Sequence, residues 1–125
     1  MAKKLKNISF VMPVLNEEKY LEAAVASVFA QEVPGESELV VALGPSRDAT
    51  DAVAKRLKKK YGVKLQLVSS TGLTSTSLNL AINKAKHEVI VRVDAHSELP
   101  AGYAKLAVEV LNQTGAANVG GMMVA

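Results

Sequence analysis

The sequence predicts a mostly parallel β-sheet with α-helices on both faces, in one domain over residues 1–125. Short β-rich apolar runs alternate with stretches whose apolar residues recur at helical spacing, and no internal repeat interrupts this order. Such alternation favours parallel strands joined by helical crossovers that cover both faces of the sheet. The length of 125 residues suits a single domain, and the 49% hydrophobic content argues against disorder.

The first part of the chain predicts two strands with a helix between them. Residues 8–12 form a β-rich apolar run that Pro13 ends. Asn16 is the predicted N-cap of the first helix, which extends to about Gln31. The apolar face of this helix consists of residues at helical spacing: Leu21, Val25, Val28 and Phe29. Residues 38–43 are the second strand, and their nearly continuous apolar character is typical of a strand covered on both faces.

The remainder of the chain continues the same alternation. The predicted elements are a helix from Ala49 to about Tyr61, a strand over residues 64–68, a helix marked by Leu78, Ala81, Ile82 and Ala85, a strand over residues 88–93, a helix that carries Tyr103, Leu106, Ala107, Val110 and Leu111, and a fifth strand over residues 118–125. Because this last run is apolar to its final residue, we expect a fragment, or a chain whose last strand a second subunit covers.

Composition excludes several classes of function. The chain has no Cys, hence no disulfide framework and no thiolate zinc site. The net charge of +3 is modest, and the cations near Lys58 crowd one helix end, where they complement the helix dipole. Aromatic residues make up only 4% of the chain, without Trp, which argues against a nucleic-acid partner. No run is long enough to span a membrane or to act as a signal peptide, so a cytoplasmic location is expected.

The strongest candidate site follows the predicted fourth strand, where Asp94 and His96 are separated by one small residue. In an open α/β sheet, ligands bind in the crevice beyond the carboxyl ends of the strands. A carboxylate and an imidazole at that edge can hold a divalent cation, which in turn binds a diphosphate. The sequence therefore predicts a metal-assisted phosphate site at Asp94 and His96.

Two polar turns at the same edge of the sheet could contact a nucleotide. Asn16 and Glu17 stand at the first helix start, whose free N–H groups attract anions, and Glu17 could accept hydrogen bonds from a ribose or base. Gly44, Ser46 and Asp48 form the turn after the second strand. Each turn equally fits an ordinary capped helix start, so both interpretations stay open.

A hydroxyl-rich loop begins near Gly72 and leads into the helix that contains Asn79. This loop could close over a nucleotide or a phosphate, and it also fits a plain loop that ends in a helix cap. Neither the Gly-rich dinucleotide fingerprint nor a P-loop pattern occurs anywhere in the chain. The sequence therefore lacks the motifs that usually indicate a dinucleotide oxidoreductase or a P-loop kinase.

Four segments together resemble family 2 glycosyltransferases of the Rossmann-like GT-A fold. Residues 8–18, ISFVMPVLNEE, resemble the opening of that family. Residues 72–79, 89–96 and 118–122 are similar to its exopolysaccharide, or succinoglycan-type, branch, in which the usual Asp-x-Asp metal motif reads Asp-Ala-His. The resemblance covers nearly the whole chain from residue 7 onward, and the combination is more specific than any single motif.

This resemblance implies a nucleotide-diphosphate sugar donor, a saccharide or lipid-linked acceptor, and transfer with inversion. Asp94, helped by His96, would hold Mg²⁺ or Mn²⁺ on the diphosphate, and a carboxylate would act as general base. The residues assigned to donor binding are Pro13, Val14, Asn16, Glu17, Gly44, Ser46, Asp48, Gly72, Asn79 and Asp94. The full-length protein could in addition associate with the inner face of a membrane.

Two departures from the family pattern shape this expectation. Ala42 and Leu43 stand where family members commonly carry an acidic residue that reads the base. The general base and the acceptor-binding half are expected beyond residue 125, which would limit this chain to donor binding. Two alternatives stay open: a nucleotidyltransferase, and a non-catalytic module that assembles into homo-oligomers through its last strand.

Overall fold

The computed structural model describes residues 4–115, 118–119 and 122–124. These residues form one sheet with helices on both faces. The strands are β1 (Ile8–Val14), β2 (Ser37–Leu43), β3 (Leu65–Ser69), β4 (Val89–Arg92), β5 (Asn118–Val119) and β6 (Met122–Val124). The helices are α1 (Leu21–Phe29), α2 (Thr50–Tyr61), α3 (Thr74–Lys84) and α4 (Tyr103–Thr114), and a 3₁₀ turn (Gly62–Lys64) follows α2. None of the helices in this part of the chain has the length and apolarity needed to cross a bilayer.

The strand order β3-β2-β1-β4-β6-β5 places β1 and β4 at the centre of the sheet. The strands β1 to β4 are mutually parallel, whereas β6 runs antiparallel to β4. The chain steps outward from β1 to β3 and then returns to the other side of β1 to form β4. That reversal is a topological switch point, which opens a crevice beyond the carboxyl ends of β1 and β4. The predicted fold class, a mostly parallel sheet with helices on both faces, is confirmed.

The predicted single strand over residues 118–125 was wrong within the described residues. Instead, β5 and β6 form an antiparallel pair, with Val119 opposite Met122 and Asn118 opposite Met123. The sequence between the two strands is Gly120-Gly121. The end of the predicted strand, at Ala125, lies outside the described residues.

Two apolar layers hold the helices against the sheet. The larger layer joins alternate residues of β1, such as Phe10 and Met12, to α1, α2 and α4. The smaller layer joins the intervening residues, such as Val11, to α3. Phe10 is 1% exposed, and complete burial of a side chain of this size contributes about 1.5–3 kcal/mol. The period-2 alternation of β1 therefore determines which helices cover which face of the sheet.

Pro13 was predicted to end the first strand, but β1 continues to Val14. The carbonyl of Val11 accepts a hydrogen bond from the N–H of Val93 (2.9 Å), so alternate residues of β1 direct their backbone polar groups toward β4. The pairing with β4 ends at Val11, so the missing N–H of Pro13 falls beyond it. On the other side the pairing with β2 persists, and the carbonyl of Val14 accepts from the N–H of Gly44 (2.8 Å).

The prediction that Asn16 caps the first helix was wrong. Asn16 has a left-handed backbone conformation (φ 54°), and α1 begins later, at Leu21. A turn precedes the helix, in which the carbonyl of Glu17 accepts from the N–H of Leu21 (2.9 Å). A short polar side chain tolerates the left-handed region, so Asn16 serves the turn instead of the helix.

The predicted apolar face of α4 was wrong at one position, because Leu106 is 63% exposed. The buried residues of this helix lie on a stripe shifted by one position: Ala104, Ala107, Val108 and Leu111. Both stripes have helical spacing, so periodicity alone did not distinguish them. The N–H of Ala104 donates to Oε1 of Gln31 in the chain segment after α1, and this contact helps to set the rotation of α4.

A buried carboxylate, Glu38, lies at the amino end of β2, which is the end opposite the crevice. Its oxygens accept hydrogen bonds from the Ser9 hydroxyl (2.6 Å), the N–H of Lys86 (2.6 Å) and the side-chain amide of Gln66 (2.8 Å). Burial by itself raises the pKa of Glu38. These hydrogen bonds, together with the nearby His87, outweigh it and hold the pKa below its usual range. Glu38 thus ties three strands and the end of α3 together.

Candidate functional site

A cavity of about 240 Å³ opens at the switch point, beyond the carboxyl ends of β1 and β4. Its lining combines the turn after β1, the start of α3 and the segment after β4. The lining residues are Pro13, Val14, Leu15, Glu17, Gly72, Thr74, Ser77, Arg92, Asp94, Ala95 and His96. Both predicted metal ligands therefore share one cavity with the turn that follows the first strand.

The segment that leaves β4 retains the alternation of an extended strand. Val93 and Ala95 are buried in the larger apolar layer, whereas Arg92, Asp94 and His96 are exposed. Arg92 and Asp94 are two apart before the turn and therefore lie on the same face. His96 follows in a turn, and all three residues line the cavity.

His96 makes a contact across the cavity with the turn after β1. Its Nδ1 atom lies 3.6 Å from Oε1 of Glu17. The imidazole is 61% exposed, whereas the side chain of Glu17 is only 20% exposed. Glu17 was predicted to read a ribose or base, and in this structure its carboxylate faces His96. The two chain segments that border the crevice are linked through this pair.

Reciprocal hydrogen bonds join the turn after β1 to the turn after β2. The N–H of Asn16 donates to Oγ of Ser46 (2.9 Å), and the N–H of Arg47 donates to Oδ1 of Asn16 (2.7 Å). These side chains satisfy backbone groups that would otherwise need water, as turn residues commonly do. Asn16 and Ser46, both predicted to bind the donor, do not line the cavity and instead hold two of its bordering turns together.

Asp48 and Thr50 continue this connection toward Glu17. The N–H of Glu17 donates to the hydroxyl of Thr50 (2.8 Å), and the N–H of Glu18 donates to Oδ2 of Asp48 (3.3 Å). The Thr50 hydroxyl in turn donates to Oδ1 of Asp48, and this bond contributes most to a lowered pKa of Asp48. The predicted donor ligand Asp48 thus accepts hydrogen bonds from backbone groups, and Thr50 connects it to the backbone of Glu17.

The turns after β2 and β3 are packed backbone to backbone. A Cβ atom placed on Gly44 would lie 2.9 Å from Cα of Gly72, closer than real Cβ contacts. Gly72 itself has a positive φ of 99°, a region that residues other than glycine rarely adopt. Both positions therefore need glycine for steric reasons. Gly72 lines the cavity, whereas Gly44 lines a second cavity of about 510 Å³ at the ends of β2 and β3.

Five residues that line the cavity were not among the predicted site residues: Leu15, Thr74, Ser77, Arg92 and Ala95. Thr74 and Ser77 are three apart and belong to the first turn of α3, so a more precise helix start would have placed both on one face. Period-2 counting backward from Asp94 would have found Arg92. Asn79 was predicted as a donor ligand, but it is exposed on α3 and lines neither cavity.

Among the residues that the structure describes, no group of three or more His, Cys, Asp or Glu side chains forms a ready metal site. Mg²⁺ usually binds through only one or two carboxylates plus phosphate oxygens and water. The donors at this cavity, the Asp94 carboxylate and the His96 imidazole, suit such a site in chemical type.

Comparison with known proteins assigns the chain to a family. The family model of glycosyl transferase family 2 matches residues 9–125. The succinoglycan biosynthesis protein ExoA of Rhizobium meliloti (strain 1021) is 32% identical over 111 residues, which cover 87% of this chain and 34% of ExoA. The poly(ribitol-phosphate) β-N-acetylglucosaminyltransferase TarS of Staphylococcus aureus (strain Mu50 / ATCC 700699) is 29% identical over 93 residues, which cover 73% of this chain and 16% of TarS. The chain thus spans about a third or less of the length of these relatives.

Solved structures share the fold. S. aureus TarS 1-349 in complex with UDP-GlcNAc has a TM-score of 0.75 at 23% identity, over 89% of this chain and 32% of that chain. The mannosyltransferase PcManGT from Pyrobaculum calidifontis in complex with GDP-Man and Mn²⁺ has a TM-score of 0.73 at 25% identity, over 90% of this chain and 33% of that chain. These likenesses confirm the predicted Rossmann-like GT-A sheet. The match over residues 9–125 and the shared architecture show that this chain belongs to glycosyl transferase family 2.

Proposed function

We propose that this chain binds a nucleotide-diphosphate sugar across the carboxyl ends of β1 and β4 and presents its sugar for transfer to an acceptor hydroxyl. One observation carries the proposal: Asp94 and His96 line the same cavity as Pro13 and Val14, at the topological switch point. Structural neighbours that hold UDP-GlcNAc, or GDP-Man with Mn²⁺, support a donor of this chemical class.

Asp94 and His96 are the residues that we propose to hold Mg²⁺ or Mn²⁺. Both belong to one cavity and supply an oxygen and a nitrogen donor, which suits either ion. Such an ion, when bound, supplies positive charge that stabilises a leaving nucleoside diphosphate. Glu17 contacts His96, and we propose that this contact orients the imidazole for metal binding.

The nucleoside of the donor is proposed to extend toward the turns after β1 and β2. The second cavity, about 510 Å³ in volume, lies beside the turns after β2 and β3 and has apolar walls at Pro45, Leu67 and Val68. Apolar walls of this kind suit a flat base, while a few polar groups fix its orientation. Leu43 lines this cavity near the position where the family pattern has an acidic residue, so we expect other groups to read the base.

Transfer with inversion and a carboxylate general base remain part of the proposal. The described carboxylates that line the first cavity are Glu17 and Asp94, and both have roles on the donor side. We therefore propose that the base and the acceptor site belong to residues beyond 125. The much greater length of the relatives supports this division. A cytoplasmic location, membrane association and oligomerisation stay predictions.

Calorimetric titration with UDP-GlcNAc and GDP-Man, each with and without Mn²⁺, tests the proposal. We expect Mn²⁺-dependent binding of at least one donor, and Asp94→Asn should weaken it about tenfold or more, because it removes a charged ligand. Glu98→Gln is the matched control, since Glu98 is an exposed carboxylate four residues along the same segment. Absence of donor binding, or metal-independent binding that Asp94→Asn leaves intact, would contradict the proposal. A stable dimer without nucleotide binding would favour the assembly alternative.

A further inference from the structure

We infer that Arg92, together with the hydroxyls of Thr74 and Ser77, forms an anion-binding subsite for the diphosphate of the donor. This inference rests on the proposed function. It adds a positively charged side chain to the site at which Asp94 and His96 are proposed to hold a metal ion. All these residues line the same cavity. The ligand class is a nucleoside diphosphate, and the contact that we assign to Arg92 is with its phosphate oxygens.

Arg92 has a defined place at the mouth of the crevice. It is the last residue of β4, and it lies two positions before Asp94 on the same face of the extended chain. The neighbouring residues Val91 and Val93 are buried in the opposite apolar layer, so the backbone at Arg92 is fixed on one side. The backbone of β4 thus anchors Arg92 beside the cavity that Asp94 and His96 also line.

The opposite wall of the cavity supplies uncharged donors. Thr74 is the first residue of α3, and Ser77 follows three residues later in its first turn. Ser77 is 2% exposed, and its hydroxyl lies 2.6 Å from that of Ser70, so its orientation is restricted. No side chain caps the start of this helix. Its first N–H groups and its positive dipole end therefore add to the attraction for an anion at this wall.

The charge of Arg92 is not used within the described part of the chain. There its side chain makes no ion pair and no hydrogen bond, whereas Arg56 is paired with Glu22 at 2.9 Å. An arginine presents planar, paired N–H donors that match phosphate oxygens, and such charge-assisted bonds are stronger than neutral ones. The diphosphate of a sugar nucleotide carries two negative charges, and the free nucleoside diphosphate that leaves carries about one more than a divalent cation neutralises. A second positive charge at the site therefore has a role toward the leaving group.

Arg92→Met tests the inference, because it keeps much of the side-chain length and removes the charge. Titrations with UDP, UMP and uridine, and with GDP, GMP and guanosine, are compared in the presence of Mn²⁺. We expect about a tenfold or greater loss of affinity for the diphosphates, a smaller loss for the monophosphates and no change for the nucleosides. Arg92→Lys should recover part of the loss, and Arg56→Met is the control for a surface arginine away from the cavity.

The outcomes separate this inference from the proposed function. If the unaltered chain binds no nucleotide, both fail together. If it binds a diphosphate in a manner that depends on Mn²⁺ and Asp94, but Arg92→Met changes that affinity less than twofold, only the Arg92 inference is overturned. A lowered melting temperature with equal losses for nucleosides and diphosphates assigns Arg92 a structural role and overturns it as well.

Discussion

The imidazole of His96 and the carboxylate of Glu17 meet across the switch point, with Nδ1 and Oε1 3.6 Å apart. Glu17 belongs to the turn after β1, and His96 belongs to the segment after β4. The segments that follow the two central strands thus contact each other through these side chains at one cavity. Because the pair is partly exposed, it contributes little to the free energy of unfolding. We expect its main effect to be on the orientation of the His96 imidazole.

Glu17→Gln is expected to weaken Mn²⁺-dependent nucleotide binding by about two- to fivefold. Partly exposed contacts between polar side chains contribute at most about 1 kcal/mol, which sets this range. Glu18→Gln is the matched control, since the neighbouring side chain is exposed and absent from the cavity. Calorimetry gives the affinities, and thermal melting should be nearly the same for both variants. Equal binding by both variants would show that the contact has no part in binding.

Asn16 provides a test that separates backbone strain from a lost hydrogen bond. Asn16→Gly removes the acceptor for the N–H of Arg47 but suits the φ of 54°, whereas Asn16→Ala also places a Cβ in the left-handed region. We expect the Ala variant to be less stable than the Gly variant by about 1 kcal/mol. Urea denaturation measures the difference. The same stability in both variants would rule out a conformational role for this position.

Gly44→Ala is expected to destabilise the protein by about 1–3 kcal/mol. The new methyl group would lie 2.9 Å from the backbone of Gly72, and a backbone contact cannot be relieved by a side-chain rotation. Ser75→Ala serves as the control, because that position is exposed in the first turn of α3. Denaturant unfolding measures the loss. A Gly44→Ala variant as stable as the control would contradict the close packing of the two turns.

The lowered pKa of Glu38 predicts a pH dependence of the free energy of unfolding. Because the carboxyl has a lower pKa folded than unfolded, its stabilisation is fully present above its unfolded pKa of about 4.3 and is lost as the pH falls through the folded value. Unfolding free energies from urea titrations between pH 7 and the acid range should therefore decline below that point.

Glu38→Gln should reduce this acid-dependent decline and lower stability at neutral pH by about 1–3 kcal/mol. An amide places an N–H₂ group against three hydrogen-bond donors, so at least one of them loses its acceptor. Glu36→Gln, at an exposed position two residues earlier, is the control. An unchanged pH profile in the Glu38 variant would show that other carboxyls account for the decline.

Much of the proposed donor site follows from local sequence patterns. The apolar runs that became β1 and β4, and the polar residues directly after them, predicted both the parallel sheet and the placement of Asp94 and His96 at its carboxyl edge. Strand period and the position of polar residues after a strand are properties of neighbouring residues. For that reason they are readable without any tertiary contact.

Only the tertiary structure decided how the turns use their side chains. Asn16 and Ser46, whose binding to the donor stays a prediction, hold two turns together, because the sheet brings segments about 30 residues apart into hydrogen-bond distance. The sequence by itself determined the fold class and the two candidate metal ligands. The strand order determined that Arg92 faces the start of α3 across a cavity, since that proximity depends on chain segments that no local pattern connects.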